Sequence, residues 1–179
     1  MSNHFKKLLI GIAAVAAFAP AAFPQFAATG TTTLSVTVGA EAAISVTTAT
    51  TTLTAGAGAF ADFTGSTTFT YKIRTTKVGG TGSITAQVTS DFAAGGPSVG
   101  SPLPGDTMTF ACTVVAPGTS CAGTPAASTS AVSVATFGAN AKSAKAGNAG
   151  NSLAWTLPND PAYETGTYTA VVTFSISAT

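Results

Sequence analysis

Apolar side chains occupy every second position over long stretches of this chain, and that alternation restricts the fold more than any other feature. In the most extended run one parity is apolar throughout, while small or polar residues fill the other. Such a pattern is typical of β-strands with one buried and one solvated face. No stretch beyond residue 28 shows the period of an amphipathic helix. The apolar members of the run are Leu34, Val36, Val38, Ala40, Ala42, Ile44 and Val46.

Six further segments alternate in the same way, and turn residues separate them. Glycine and proline clusters such as 79–82 and 158–161 mark tight turns. About seven strands punctuated in this way predict an all-β fold, an antiparallel two-sheet sandwich of the immunoglobulin-like kind. The stretch 138–151 has no large apolar side chain, so we expect a surface loop or a weak edge there. The six segments are 67–75 with Phe69, Tyr71 and Ile73 inward, 83–89 with Ile84, Ala86 and Val88 inward, 107–115 with Met108, Phe110, Cys112 and Val114 inward, 131–137, 152–157 and 167–178.

The N-terminal region has the layout of a secretory signal peptide. Lys6 and Lys7 precede an unbroken apolar run from Leu8 to Ala19. A run of about 12 apolar residues is too short to span a bilayer, which takes roughly 20. We therefore expect residues 1–28 to be a signal peptide that is cleaved somewhere in 21–28, and residues 29–179 to form a single secreted domain.

The exported part carries few charges, five basic residues against six acidic ones. Lys72, Arg74 and Lys77 are its only set of three basic residues that lie close together in the sequence. A groove that follows a nucleic-acid backbone needs clustered Lys and Arg. Nucleic acid is therefore not an expected partner, and neither is insertion into a membrane.

Cys112 and Cys121 are the only cysteines, and they lie nine positions apart in a stretch rich in Pro, Gly and Ser. Export takes them to an oxidising compartment, so we expect a disulfide between them. A redox pair or a metal site is the alternative. The spacing is not Cys-x-x-Cys and the exported part has no histidine, and both facts favour the disulfide.

The residues that most hydrolytic chemistry uses are missing from the exported part. His4 is the only histidine and belongs to the predicted signal peptide, so no Ser, Thr or Cys nucleophile has a histidine base. The acidic residues are scattered singly, mostly in predicted turns, and are not paired as in glycosidases. Asn159 and Asp160 come nearest to a calcium loop, but the prolines beside them favour a plain turn. We expect neither an enzyme nor a bound metal or cofactor.

Trp155 lies between Leu153 and Leu157 on a predicted strand, which places its ring in the core. The alternative is an exposed ring that serves as a stacking platform for sugars. The sequence therefore leaves a second hypothesis for the function, a carbohydrate- or surface-binding sandwich module of the adhesin kind.

The alternating run over residues 31–46 is longer than a small sandwich needs. About 16 residues at about 3.3 Å each reach roughly 50 Å, whereas most strands have about 3–10 residues. One interpretation is two consecutive strands with a bulge or bend at Gly39. The other is that residues 31–38 project as a donor strand, in which Leu34, Val36 and Val38 complete a neighbouring subunit's sheet by β-strand addition.

The last alternating segment of the chain carries a family resemblance. Gly166 and Tyr168 open it, and Val172, Phe174 and Ile176 continue it at alternate positions. It resembles the C-terminal strand of chaperone–usher pilins and of the related spore coat protein U-like secreted domains. That family opens the strand with a glycine, and its chaperone grips the alternating apolar residues. The resemblance implies a pilin-like sandwich with a periplasmic chaperone and an outer-membrane usher as partners.

The chain differs from that family in two places. Ala178 stands where the family usually has an aromatic residue, and the two cysteines lie in mid-chain instead of on the early strands. Taken together, the sequence favours a secreted structural subunit of a pilus, filament or coat at the cell surface, which polymerises with copies of itself through strand pairing. A composition rich in Thr, Ser, Ala and Gly with few charges suits dense packing in a fibre.

Overall fold

The structure is a computed structural model, and it describes residues 30–179. The predicted signal peptide, residues 1–28, lies outside the described residues. Residues 37–179 form one compact unit, which holds all the strands, and residues 30–36 belong to another. The strands are β1 (Glu41–Val46), β2 (Thr54–Ala55), β3 (Phe63–Arg74), β4 (Gly82–Ser90), β5 (Thr109–Thr113), β6 (Thr119–Ser120), β7 (Val132–Phe137), β8 (Asn148–Leu157) and β9 (Val171–Ala178).

The nine strands form two sheets, and every pairing within them is antiparallel. The first sheet has the order β1-β3-β8-β5, with the two-residue β2 also paired to β3. The second has the order β6-β7-β4-β9. The prediction of an all-β, antiparallel two-sheet sandwich is therefore confirmed.

The core lies between the sheets, where the apolar parity of each central strand points inward. Phe69, Tyr71 and Ile73 on β3 are buried, as are the alternate apolar residues of β4. This is the burial that the period-two pattern predicts. Two tilted or edge-on aromatic pairs cross between the sheets, Phe69 with Phe174 and Tyr71 with Phe137.

Trp155 is one of these core residues, with 4% of its surface exposed. Its ring packs edge-on against Phe110, with ring centroids 5.1 Å apart. Its indole N–H donates to the Thr67 hydroxyl at 2.9 Å, so the one polar atom of the side chain is satisfied. The prediction of a core anchor is confirmed, and Trp155 is not an exposed platform for sugars.

Of the two interpretations of the alternating run, that of two consecutive strands bent at Gly39 is wrong, because residues 31–40 lie in no strand and β1 begins only at Glu41. One other expected boundary was also wrong. The stretch 138–151 is not a mere surface loop, because β8 begins at Asn148 and Asn151 is fully buried. Hydrogen bonds, and not buried apolar side chains, hold this segment in the fold. The amide of Asn151 donates to the carbonyl of Phe69 at 3.0 Å and accepts from the N–H of Val115 at 2.9 Å.

Candidate functional site

The two long sides of the sandwich are bordered by different pairs of edge strands. On one side β5 and β6 end their sheets, and the disulfide between Cys112 and Cys121 joins the two edges, with Cα atoms 5.6 Å apart. We call this the closed side, and the predicted disulfide is confirmed. On the other side β1 and β9 end their sheets, and we call this the open side.

Each strand of the open side has a partner along one edge only. Among the described residues β1 pairs with β3 alone and β9 pairs with β4 alone. Cα atoms of β1 and β9 approach within 8 Å of each other, yet the two strands form no ladder. Backbone N–H and C=O groups along the outer edge of β9 are therefore available to a further strand.

The inward face of β9 is covered less completely than that of its neighbour β4. Ile84, Ala86 and Val88 of β4 are at most 4% exposed. Their counterparts on β9 keep part of their surface exposed, as do the apolar residues of β1. The open side is thus a row of half-covered apolar side chains beside an unpaired backbone edge. The row consists of Ala42 and Ile44 on β1 with Val172, Phe174, Ile176 and Ala178 on β9.

The predicted donor residues precede β1 and lie in no strand. Leu34 is 91% exposed, Val36 is 84% exposed and Val38 is 62% exposed. Fully solvated Leu and Val side chains at alternate positions forgo the free energy that burial would give them. Gly39, which follows them, is fixed by the guanidinium of Arg74, whose Nε donates to the Gly39 carbonyl at 2.6 Å.

The predicted C-terminal strand is confirmed for Val172, Phe174 and Ile176 but begins later than expected. Gly166 and Tyr168 precede β9 and belong to the turn before it. The Tyr168 hydroxyl donates to the carbonyl of Glu164 at 3.0 Å, and the ring lies directly over Gly96, where an added Cβ would meet it at 2.4 Å. These local contacts hold Tyr168 in the turn, away from the ladder of β9.

A loop beside this turn is organised by one carboxylate. Asp91 accepts hydrogen bonds from the backbone N–H groups of Phe92, Val99 and Gly100 and from the Ser98 hydroxyl, at 2.8 to 3.0 Å. Burial alone would raise the pKa of Asp91, but these donors outweigh burial and hold it below its usual value. The carboxylate stays ionised and fixes the loop from residue 91 to residue 100.

A second carboxylate is paired with a tyrosine in the same region. The hydroxyl of Tyr163 donates to Asp106 at 2.7 Å, and Asp106 is 6% exposed. Burial first, and then the hydrogen bond to Asp106 and its charge, raise the pKa of Tyr163 far above the usual range. A phenol that stays protonated is a structural donor, not a base, so this pair ties the segment before β5 to the segment after β8.

A buried polar network that sequence reasoning missed supports the closed side. The Tyr71 hydroxyl donates to the carbonyl of Val115 and accepts from Gly118 N–H and from the side-chain amide of Asn148. Together with Asn151 it anchors the chain between β5 and β6. The sequence signal that could have indicated this network is the pair Asn148 and Asn151 beside glycines. An asparagine side chain can hydrogen-bond to a buried donor and a buried acceptor at once.

The described surface has shallow depressions. One, of about 340 Å³, borders Thr119, Ser120 and Cys121, and another, of about 250 Å³, borders Gly96, Leu103 and Tyr163. Within residues 30–179 no three His, Cys, Asp or Glu side chains come together in a group suited to a metal ion. The same residues contain no helix with the length and apolar character needed to cross a membrane.

Comparisons with known proteins found no match to this chain. Family models, curated protein sequences and solved structures were each compared with the chain, and none matched.

Proposed function

We propose that the protein is a secreted structural subunit of an extracellular filament, pilus or surface coat, and that copies of it join by β-strand addition at the open side. The observation that carries the proposal is the half-covered apolar row of β9 beside an edge without a partner. A strand added there would gain ladder hydrogen bonds and would cover Val172, Phe174 and Ile176.

The candidate for the added strand is residues 31–38 of a second copy. Its alternate side chains Leu34, Val36 and Val38 have the two-residue period of the row on β9, and Thr or Ser stands between them. The segment contains no proline, so each of its residues can donate a ladder hydrogen bond. Full burial of each apolar side chain contributes about 1.5–3 kcal/mol. Three such residues would contribute about 4.5–9 kcal/mol, and the backbone ladder would add to this, against the entropic cost of association.

Secretion, location at the cell surface, and a periplasmic chaperone and outer-membrane usher as helpers belong to the same proposal. A chaperone of this kind would cover the open side until a second copy replaces it. The carbohydrate-binding alternative has lost the residue on which it depended, because Trp155 is buried.

The test is truncation of the exported protein to begin at Val38. We expect a folded monomer by circular dichroism that no longer assembles in sedimentation or negative-stain microscopy. A synthetic peptide of residues 31–38 should bind the truncated protein. The same peptide with Val36→Asp should not bind, because it would bury an unpaired charge.

The matched control is the peptide with Ser35→Asp, which places the same charge on the opposite face of the strand. It should bind far better than the Val36→Asp peptide. A truncated protein that still forms filaments, or one that no longer folds, would refute strand donation from residues 31–38. Equal binding of both charged peptides would refute the prediction that Val36 faces the acceptor and Ser35 faces away from it.

A further inference from the structure

The charged side chains of the sandwich are divided between its two ends. At the end where β1 begins and β3 finishes lie all five basic residues of the described chain, and we call this the basic end. At the end where β3 begins and β8 finishes lie five of the six acidic residues, and we call this the acidic end. The basic residues are Lys72, Arg74, Lys77, Lys142 and Lys145, and the acidic ones are Asp62, Asp91, Asp106, Asp160 and Glu164.

The basic end keeps a clear excess of positive charge. Its one acidic residue, Glu41, is engaged by Arg74 at 3.1 Å. Lys142 lies opposite Arg74 in an isolated bridge, and the loops 75–81 and 138–147 are joined by the hydrogen bond from Thr75 N–H to the Ala141 carbonyl at 3.0 Å. Lys77, Lys142 and Lys145 therefore lie on adjoining loops, Lys72 lies near the end of β3, and all four side chains are exposed.

The charges of the acidic end are held on loops that are tied to one another. The carboxyl of Asp106 accepts from Tyr163, and the N–H of Glu164 donates to the carbonyl of Gly95 in the loop that Asp91 organises. The side-chain amide of Asn159 donates to the Ala61 carbonyl next to Asp62. The arrangement is a fixed array of negative charge and not a set of independent mobile loops.

The two ends are far apart and little charge lies between them. The 12 residues of β3 span about 40 Å at about 3.3 Å each. Charges so distant are screened from each other within one molecule, since the Debye length is about 8 Å at physiological salt. Between the ends, the outward positions of β3 are Thr64, Ser66, Thr68 and Thr70. The basic residues of one end and the acidic residues of the other can therefore meet only between two molecules.

We infer that the acidic end of one copy docks on the basic end of the next, so that subunits stack head to tail. The occupant of each end is a second copy of this chain, because the two ends have opposite charges of similar number. A contact between unlike ends is heterologous and repeats without closing, which produces a linear array. Complementary charge sets the orientation of such a contact and its rate of formation.

The position of Gly39 supports the same orientation. Arg74 holds its carbonyl at the basic end, so the candidate donor segment joins the sandwich at the end that faces the next copy. The end-to-end contact would then bring the donor segment of one copy to its acceptor, but it does not depend on strand addition. The end-to-end contact involves the charges of the two ends and not the apolar row of the open side.

The experiment uses the full chain and two variants with altered charge. In the first, Lys77→Gln, Lys142→Gln and Lys145→Gln remove three positive charges from the basic end. In the second, Asp62→Lys and Glu164→Lys weaken the acidic end at side chains that form no hydrogen bond in the structure. Each variant alone should associate at least about tenfold more weakly than the native chain in sedimentation at low salt, by loss of opposite-charge pairs.

Mixing the two variants gives the decisive result. Each retains one native end, so one native junction forms per pair and growth stops at a 1:1 complex. That complex should dissociate as NaCl rises from about 50 mM to about 500 mM, where the Debye length falls to a few ångströms. A matched control carries Thr68→Lys and Thr85→Glu on the outward sheet faces and should associate like the native chain.

Three results would overturn the inference. They are unchanged association of either variant, absence of a 1:1 complex in the mixture, and loss of binding to an anionic polysaccharide such as heparin without any loss of self-association. The whole series is repeated with Val36→Asp in every chain. If strand addition is wrong but the ends dock, the salt-sensitive 1:1 complex persists in this background and Val36→Asp changes nothing.

Discussion

The closed and open sides of the sandwich end the same two sheets in different ways. On the closed side the disulfide, the Tyr71 hydroxyl, the buried Asn151 and the partly buried Asn148 hold the crossing between β5 and β6. On the open side β1 and β9 have no bond across the gap, and the inward residues of β9 remain partly exposed. Within the described residues, covalent and polar links therefore join the edge strands of the two sheets on the closed side only. This difference is the basis of the proposal that a strand of a second copy pairs along β9.

The largest effect should come from matched truncations of one phenylalanine on each side. Phe110 on β5 is buried against Trp155, so Phe110→Ala should destabilise the monomer by about 3–5 kcal/mol. Phe174 on β9 is partly solvated, so Phe174→Ala should cost about half as much. Urea unfolding of both variants measures the two losses, with Val36→Asp in every chain and about 500 mM NaCl present so that neither strand pairing nor end-to-end docking holds copies together. Equal losses would mean that the open side is as completely covered as the closed one.

Removing the disulfide should weaken the closed side without affecting the open one. Closing a loop of nine residues stabilises the fold by about 2–3 kcal/mol, so the variant with Cys112→Ala and Cys121→Ala should unfold at correspondingly lower urea. Its binding of the peptide of residues 31–38 should be unchanged, because β9 lies at the far edge of its sheet. If peptide binding falls with stability, the two sides are coupled and the comparison fails.

Much of the fold follows from the sequence, because apolar alternation decides which face of a strand is buried. Phe69, Tyr71 and Ile73 were predicted inward and are inward. The buried Asn151 could not be predicted in this way, because hydrogen-bond satisfaction depends on partners far along the chain. Val115, which bonds to Asn151, lies 36 positions away.

The sequence also could not distinguish a covered edge from an open one. Val172 and Ile84 show the same alternation, yet Ile84 is fully buried and Val172 is half-exposed. Only the strand order places β4 inside its sheet and β9 at its edge. The separation of charge between the two ends likewise arises from the order in which the loops meet, and it is invisible in a list of scattered single charges.

The smallest expected effect concerns the acid response of the loop from residue 91 to residue 100, which borders the turn before β9. The donors to Asp91 hold its pKa in the folded state below the ordinary value of 3.8. A carboxyl with a depressed folded pKa stabilises the fold at pH above about 3.8, and that contribution is lost as the pH falls through the folded pKa. Asp91→Asn should therefore destabilise the protein by about 1–2 kcal/mol at neutral pH, through weakened hydrogen bonds to a formerly charged group. Below the folded pKa the variant and the native chain should converge.

Urea unfolding at pH 7 and at a pH below the folded pKa of Asp91, located by NMR titration, gives this comparison. Asp62→Asn is the matched control, because the side chain of Asp62 is exposed and forms no hydrogen bond among the described residues. The control should change stability by less than about 0.5 kcal/mol at either pH.

Tyr168 packs on Gly96 of the same loop, so loosening the loop frees the turn that leads into β9. Hydrogen exchange in Asp91→Asn should therefore rise first at the start of β9, while the N–H groups of β5 stay protected. A uniform rise across β5 and β9 would show that the loop supports the whole fold and not the open side in particular.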